Sequence, residues 1–272
     1  MKNADAMQAA DQYWGREGLA QVILDGLAAS GKNLDTLTVE DLAPTDHFHN
    51  GGKAATVRLA GLAELSSGAH VLDVGGGIGG PARMLAAEYG CFVTVVDPTE
   101  SYVQAGEMLT TRLGLEERVK HRVGSGLELP FETGEFEVVW TQNSGMNIAD
   151  KDRLYAEFHR VLKRGGMLAF QEPMAGPVQP AIYPLVWARD ASTSFLRQPA
   201  EMRAMIEAAG FKTRAWEDAT AATSWAPPAA QRPAFSVAML VMGDAFEDVM
   251  RAGKRNTDEG RMVTVQAVFD RV

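Results

Sequence analysis

Short strand-like runs recur through the chain, at 69–74, 92–97, 119–123, 135–141, 166–172 and 211–216, with Val263–Asp270 as a last one. Those at 69–74, 92–97 and 166–172 are largely apolar, as buried strands are, whereas 119–123 and 211–216 set polar residues between apolar ones. The stretches between several of them carry helical spacing instead. In Asp150–Leu162, Leu154, Phe158, Val161 and Leu162 fall on one face, and Arg153, Glu157, Arg160 and Arg164 fall on the other. Pro81–Tyr89 has proline in its first turn and Gly90 just beyond its end, the punctuation of a helix. Strands alternating with helices predict an α/β fold with a mostly parallel, doubly wound sheet of seven strands.

The first strand ends in Val71-Leu72-Asp73-Val74-Gly75-Gly76-Gly77-Ile78-Gly79-Gly80. A turn built almost wholly of glycine lets a ligand approach the backbone without obstruction by Cβ atoms. Asp97, at the carboxyl end of the second strand, is placed to accept hydrogen bonds from both hydroxyls of a ribose, as acidic residues do in Rossmann-like folds. The glycines run Gly75-x-Gly77-x-Gly79, without the wider gap of the dinucleotide fingerprint, and Asp73 suits a cationic amino group better than a pyrophosphate. The expected cofactor is therefore S-adenosyl-L-methionine (SAM). Pro98, Ser125, Gly126, Leu127 and Gln142, on the loops after the second, third and fourth strands, complete the expected cofactor set.

Together with Leu129-Pro130-Phe131, Phe136 to Trp140, and Lys163-Arg164-Gly165-Gly166 leading into Met167 to Phe170, these motifs resemble the class I SAM-dependent methyltransferases. The resemblance covers roughly residues 50 to 215. It is strongest to the bacterial small-molecule branch of type 11 that includes sarcosine/dimethylglycine N-methyltransferase-like enzymes. It implies that Asp73 and the three glycines form the first motif and that Asp97 binds ribose. Where this branch usually carries an Asp for the adenine amino group, the chain reads Gly124-Ser125-Gly126, so Ser125 offers a hydrogen bond without charge.

Three segments remain outside this body: 11–49, with an amphipathic helix bearing Leu19, Val22, Ile23 and Leu27; 173–199, after the fifth strand; and 220–256. The expected organisation is a helical cap over 1–60 and a SAM-binding domain over 61–272, with insertions at about 173–199 and 220–256. Ligand crevices of doubly wound sheets lie beyond the carboxyl ends of the strands, where these additions act as a helical lid. They supply Tyr13, Trp14, Phe48, Met174, Tyr183, Trp187, Phe195, Trp225 and Met239; with Asn143 and Met146 from the loop after the fourth strand, these are the expected acceptor contacts. Glu172 is the first candidate for a base, because Pro173 is expected to end the strand there and turn the carboxylate to the crevice. A carboxylate that only anchors a loop is the plain alternative. His49, in Asp46-His47-Phe48-His49-Asn50-Gly51-Gly52, is the second candidate, against a loop histidine that caps the helix opened by the glycines. No third ligand at a recognisable spacing joins the two histidines, so no metal is expected.

Methyl transfer is an in-line displacement, and what the acceptor needs depends on its chemistry: an amine needs little help, a hydroxyl needs a base, an alkene needs cation stabilisation and proton removal. The aromatic additions favour a small, largely apolar metabolite methylated on nitrogen, oxygen or carbon. Alternatives are C-methylation of an isoprenoid-like alkene such as a prenyl diphosphate, with Glu172 as base and Arg189, Arg197 or His47 on the diphosphate, and a SAM-binding scaffold or sensor without turnover. In a chain of 272 residues with 46% hydrophobic content, a formal charge of −9 disfavours nucleic acid as partner. The longest apolar stretch, Ala234 to Met242, is too short to span a bilayer, so no membrane partner is expected. A lone cysteine, Cys91, excludes an intramolecular disulfide framework, and Met1 to Ala10 lacks the basic start and apolar segment of a secretory leader, so a cytoplasmic location is expected. The apolar face of the lid also suits contact with a second copy in a homo-oligomer.

Overall fold

The computed structural model describes residues 13–16, 18–223 and 236–272. Within them a seven-stranded sheet has the order β3-β2-β1-β4-β5-β7-β6, built from β1 (His70–Val74), β2 (Phe92–Asp97), β3 (Val119–Val123), β4 (Phe136–Gln142), β5 (Leu162–Ala175), β6 (Phe211–Asp218) and β7 (Met262–Arg271). β1 to β5 pair in parallel, and β7 runs antiparallel between β5 and β6. This is the mostly parallel α/β sheet expected, with the order reversing at β1 beside β4.

Each strand feeds alternate residues to the two faces. On one face Leu72, Val74, Val139, Leu168 and Phe170 pack under α6 (Lys151–Val161) and α7 (Pro199–Ala208). On the other, Val71, Val93, Val95, Val138 and Trp140 pack under α3 (Gly52–Ala63) and α4 (Gly80–Tyr89). α3 runs across the expected 60/61 boundary, and its Leu59, Ala60 and Ala63 are fully buried in that layer.

Ahead of it, α1 (Leu19–Ala29) packs Leu19, Ile23 and Leu27 against Tyr102, Ala105 and Leu109 of α5 (Glu100–Arg112). Val22, expected on that face, is 41% exposed instead, because the stripe facing α5 is narrower than the apolar set. α2 (Val39–Asp46) follows, opened by a capping box between Thr38 and Asp41.

β5 departs from expectation in length. Pro173 does not end it: the strand continues through Ala175, with Pro173 paired opposite Thr264 of β7. The last pairing of β4 with β5 is Gln142 with Gln171, so beyond it β5 has a partner on one side only, where a missing N–H removes no bond to β4. The segment after β5 and helix α9 (Phe246–Asp258) form a small core of their own around Leu185, Trp187, Val249, Met250 and Met262. α8 (Val237–Met242) lies against the α1 and α5 cluster through Val237 and Val241. No helix among the described residues is long and apolar enough to cross a membrane.

Candidate functional site

A cavity of about 350 Å³ lies at the carboxyl ends of β1, β2 and β4, at the reversal of strand order. The glycine turn forms part of its wall, and its glycines do different work. A Cβ on Gly75 would overlap Ser144, and one on Gly76 would lie 2.5 Å from Asp73 Oδ2, so both are small for packing reasons. Gly77, with φ +56°, has open space, its nearest neighbour being Tyr102 Cδ2 at 3.7 Å. There the backbone itself faces the cavity. Gly79 does not line it: a Cβ there would meet His121 Cε1 at 2.5 Å, and so would one on Gly106. The ring of His121 fills the notch these two glycines leave, held by Thr110 Oγ1 at 2.9 Å from its Nε2.

Asp73 and Asp97 bring two buried carboxylates to the wall. Asp97 Oδ2 accepts the Gly77 N–H at 3.0 Å and Oδ1 accepts the Thr99 N–H at 2.9 Å, and the Thr99 hydroxyl also bonds the carboxylate. Burial raises its pKa against the pull of those bonds. Asp73 Oδ2 has no partner, and burial, with the Asp97 charge added, pushes that carboxyl up to about 8. Three more cavity-lining side chains have an unpartnered buried polar atom: Asp46 Oδ1, Tyr102 Oη and Gln142 Nε2. Buried polar atoms without partners are uncommon and costly, and four of the nine among the described residues belong to side chains that line this cavity.

The cost at Asp73 has a sign. Its folded pKa lies above the unfolded value, so the folded chain keeps a proton between about pH 4 and 8 that the unfolded chain releases, and stability falls as pH rises through that window. Asp73→Asn is expected to remove this slope, making the ligand-free protein clearly more stable than wild type at pH 8 with little difference at pH 4. Urea unfolding at the two pH values checks it, and parallel curves for the two proteins would count against the reading.

Of the other expected cofactor positions, Gly75, Pro98, Ser125, Gly126, Leu127 and Gln142 all line the cavity. Ser125 Oγ accepts the Leu127 N–H at 3.2 Å, and Gln142 Oε1 accepts from Trp140 Nε1 at 3.0 Å and from Thr56 Oγ1 at 3.1 Å. His49 lines the cavity too, but both its nitrogens are engaged, Nε2 with Thr56 Oγ1 at 3.1 Å and Nδ1 with the Asn50 carbonyl at 3.2 Å. Burial lowers its pKa to about 3, as it does for His47, whose Nδ1 meets the same Thr56 hydroxyl at 3.1 Å. The two rings thus share a threonine, and among the described residues no three His, Cys, Asp or Glu gather as metal ligands.

Glu172 requires a correction. It does not line the cavity; its Oε1 accepts the backbone N–H of Gly145 at 2.7 Å and of Ser144 at 3.2 Å. The carboxylate holds the loop after β4 because β5 does not break at Pro173, and sheet alternation turns residue 172 beneath that loop. Burial raises its pKa, opposed by those amides and by Lys151.

Trp14, Phe48, Asn143, Met146 and Phe195 line the cavity as expected of acceptor contacts, joined by Ile148, Val186 and Val237. The remaining acceptor candidates lie elsewhere. Met174 is fully buried in the sheet core, and Trp187 is buried in the small core after β5 with Nε1 on Ser194 Oγ at 3.0 Å. Tyr183 packs against that same core, Met239 is 38% exposed on α8, and Tyr13 supports Trp14 edge-on at 4.8 Å. Trp225 lies outside the described residues. Asn143 is held at φ +55° by a buried amide chain: its Nδ2 donates to Asn50 Oδ1, and its Oδ1 accepts Gln171 Nε2 at 3.0 Å. Gln171 Nε2 also reaches the Asn50 carbonyl at 2.9 Å.

Asp46, Ile78, Tyr102 and the loop residues 147–150 also line the cavity and were not singled out from sequence. A usable signal existed for Tyr102, which sits in the first turn after the acidic end of β2 and so at the crevice side of the sheet.

A family model described as a methyltransferase domain matches residues 72–170. The glycine/sarcosine/dimethylglycine N-methyltransferase of Actinopolyspora halophila is 36% identical over 132 residues, 48% of this chain and 23% of that protein. The sarcosine/dimethylglycine N-methyltransferase of Halorhodospira halochloris is 29% identical over 170 residues, 60% of this chain and 59% of the relative. In both cases the match spans less than two thirds of the relative's length. A geranyl diphosphate C-methyltransferase structure from Streptomyces coelicolor A3(2), complexed with Mg2+, geranyl-S-thiolodiphosphate and S-adenosyl-L-homocysteine, shares the fold at TM-score 0.71 and 19% identity, over 98% of each chain. The domain match falls on β1 to β5, and the glycine turn and both carboxylates line one cavity, so residues 72–170 carry a methyltransferase domain similar to those of the class I SAM-dependent methyltransferases.

Proposed function

We propose that the protein methylates a small, largely apolar amine that carries neither a carboxylate nor a phosphate. The supporting observation is the make-up of the single cavity that the glycine turn opens onto. Its carboxylates are Asp46, Asp73, Asp97 and Asp150, and its only basic side chain among the described residues is Arg153, more than half exposed and bonded through Nε to the Leu127 carbonyl at 2.6 Å. An anionic acceptor would lack a counter-charge there. Arg189 and Arg197 are exposed away from the cavity, and the His47 ring is committed to Thr56, so the groups a diphosphate would require are not gathered.

SAM fits the other part of the wall. Asp73 Oδ2 and Asp46 Oδ1 are unpartnered acceptors for its α-ammonium, the Asp97 carboxylate suits ribose hydroxyls, and the open space over Gly77 admits the chain between them. When bound it supplies an electrophilic methyl group on a sulfonium. The protein's residues do the rest: four carboxylates favour a cationic ligand over its neutral product, and Trp14, Phe48, Met146, Val186 and Phe195 exclude water and hold the acceptor in line. A neutral amine has its own lone pair, so it needs no base from a wall whose histidine is already engaged through both nitrogens.

The test is SAM consumption with three acceptor classes: apolar amines, sarcosine, and geranyl diphosphate. Turnover on the apolar amines, with sarcosine and the diphosphate at least about tenfold poorer in kcat/KM, is the expected result. Preferred turnover of either anionic acceptor would overturn the assignment.

A further inference from the structure

Lys151 is an oddity by the ordinary rules of helices. It is the first residue of α6, where the helix dipole disfavours a cation, and it is 1% exposed. Its Nζ donates to the Gly145 and Ile148 carbonyls, the latter at 2.6 Å. On the opposite side of the same glycine, the Gly145 N–H donates to Glu172 Oε1. One buried residue therefore has its amide held by a carboxylate and its carbonyl held by an ammonium. A Cβ on Gly145 would lie 3.0 Å from Glu172 Oε1, so the glycine is what lets the carboxylate come this close. The loop gripped in this way supplies Ser144, Met146, Asn147, Ile148 and Ala149 to the cavity wall.

We infer that Glu172 and Lys151 are paired positioning residues that clamp the 144–149 loop from its two polarities and so fix the acceptor side of the cavity, and that Glu172 is not a proton acceptor in the reaction. The pair is coupled. Each charge is buried where it would be costly alone, and each offsets the other across one residue, Gly145. Removing the ammonium leaves an unbalanced buried carboxylate, whereas removing both charges does not. The inference rests on the cavity being the reaction site, but the clamp itself is measurable without turnover.

The experiment is amide hydrogen exchange at Ser144 and Gly145 in the ligand-free full chain, with S-adenosylhomocysteine affinity and, where an acceptor is known, the split between KM and kcat. Glu172→Ala and Lys151→Met are expected to speed exchange of these amides roughly tenfold or more. Glu172→Gln keeps an acceptor oxygen and is expected to leave exchange within about threefold, raising acceptor KM modestly with kcat retained. Lys151→Met made in the Glu172→Gln background is expected to cost clearly less protection than in wild type. That comparison also serves if Glu172→Ala fails to fold. Unchanged exchange in Lys151→Met, or identical effects in the two backgrounds, would overturn the clamp. Loss of kcat in Glu172→Gln with the amides still protected would return Glu172 to the role of base and overturn its assignment here. Absence of any acceptor turnover would touch only the proposed function, since the exchange results stand without it.

Discussion

Arg83→Met is expected to destabilise the protein by about 3–5 kcal/mol, the largest effect of any single substitution considered, because it strands a buried carboxylate. Arg83 and Asp46 are both essentially fully buried, and Arg83 Nη2 meets Asp46 Oδ2 at 2.8 Å. The same guanidinium reaches the Gly106 carbonyl at 3.3 Å and Thr110 Oγ1 at 3.2 Å, tying α2, α4 and α5 together under the glycine turn. Burial pushes the Asp46 pKa up in spite of Arg83, so the pair is bound at a net electrostatic cost and its worth lies in what happens when one member is lost. The double variant Arg83→Met, Asp46→Leu is accordingly expected to recover much of that loss. Urea unfolding of the two variants decides it; a single variant within about 1 kcal/mol of wild type would mean that water or a neighbour compensates Asp46.

Gly77→Ala should separate ligand binding from stability. At φ +56° an alanine pays the left-handed penalty of about 1–2 kcal/mol, yet it meets no atom closer than Tyr102 Cδ2 at 3.7 Å, so the fold persists. The added methyl occupies space that the ligand requires, and S-adenosylhomocysteine affinity is expected to fall at least about tenfold by calorimetry. An unchanged affinity would place the ligand away from this glycine and undercut the assignment of the cavity.

The parts of this fold legible in the sequence are those whose causes are local. Strand-like runs marked all seven strands to within a few residues, most plainly the largely apolar β1, β2 and the centre of β5, and glycine and proline punctuation marked α4, because burial and turn stereochemistry leave their signature at the residue itself. The length of β5 was not legible, since its extension to Ala175 depends on pairing with β7 nearly a hundred residues away. The site divided along the same line. Asp73, Gly77 and Asp97 announced themselves by spacing along β1 and β2. Whether Met174, Trp187 or Phe195 faced a ligand depended on how the additions packed, and composition alone treats the three alike. Glu172 was expected at a strand end facing the crevice; it lies within β5 beneath the loop after β4, because what it touches is set by a loop that follows another strand. Lys151 did carry a local signal, a buried cation where the helix dipole opposes it, and such violations of helix rules mark residues whose partners lie outside the helix.

The ring of His121, seated in the notch between Gly79 and Gly106, makes three positions on three different elements a single unit of inheritance. A methyl group gained at either glycine has nowhere to go while the imidazole stays, and a smaller residue at 121 alone leaves a void behind the wall that holds the cofactor. Drift at 106 and 121 is therefore concerted: in a library made from this chain, a side chain at 106 will be found only in company with a smaller one at 121, while φ +83° keeps position 79 a glycine in either case.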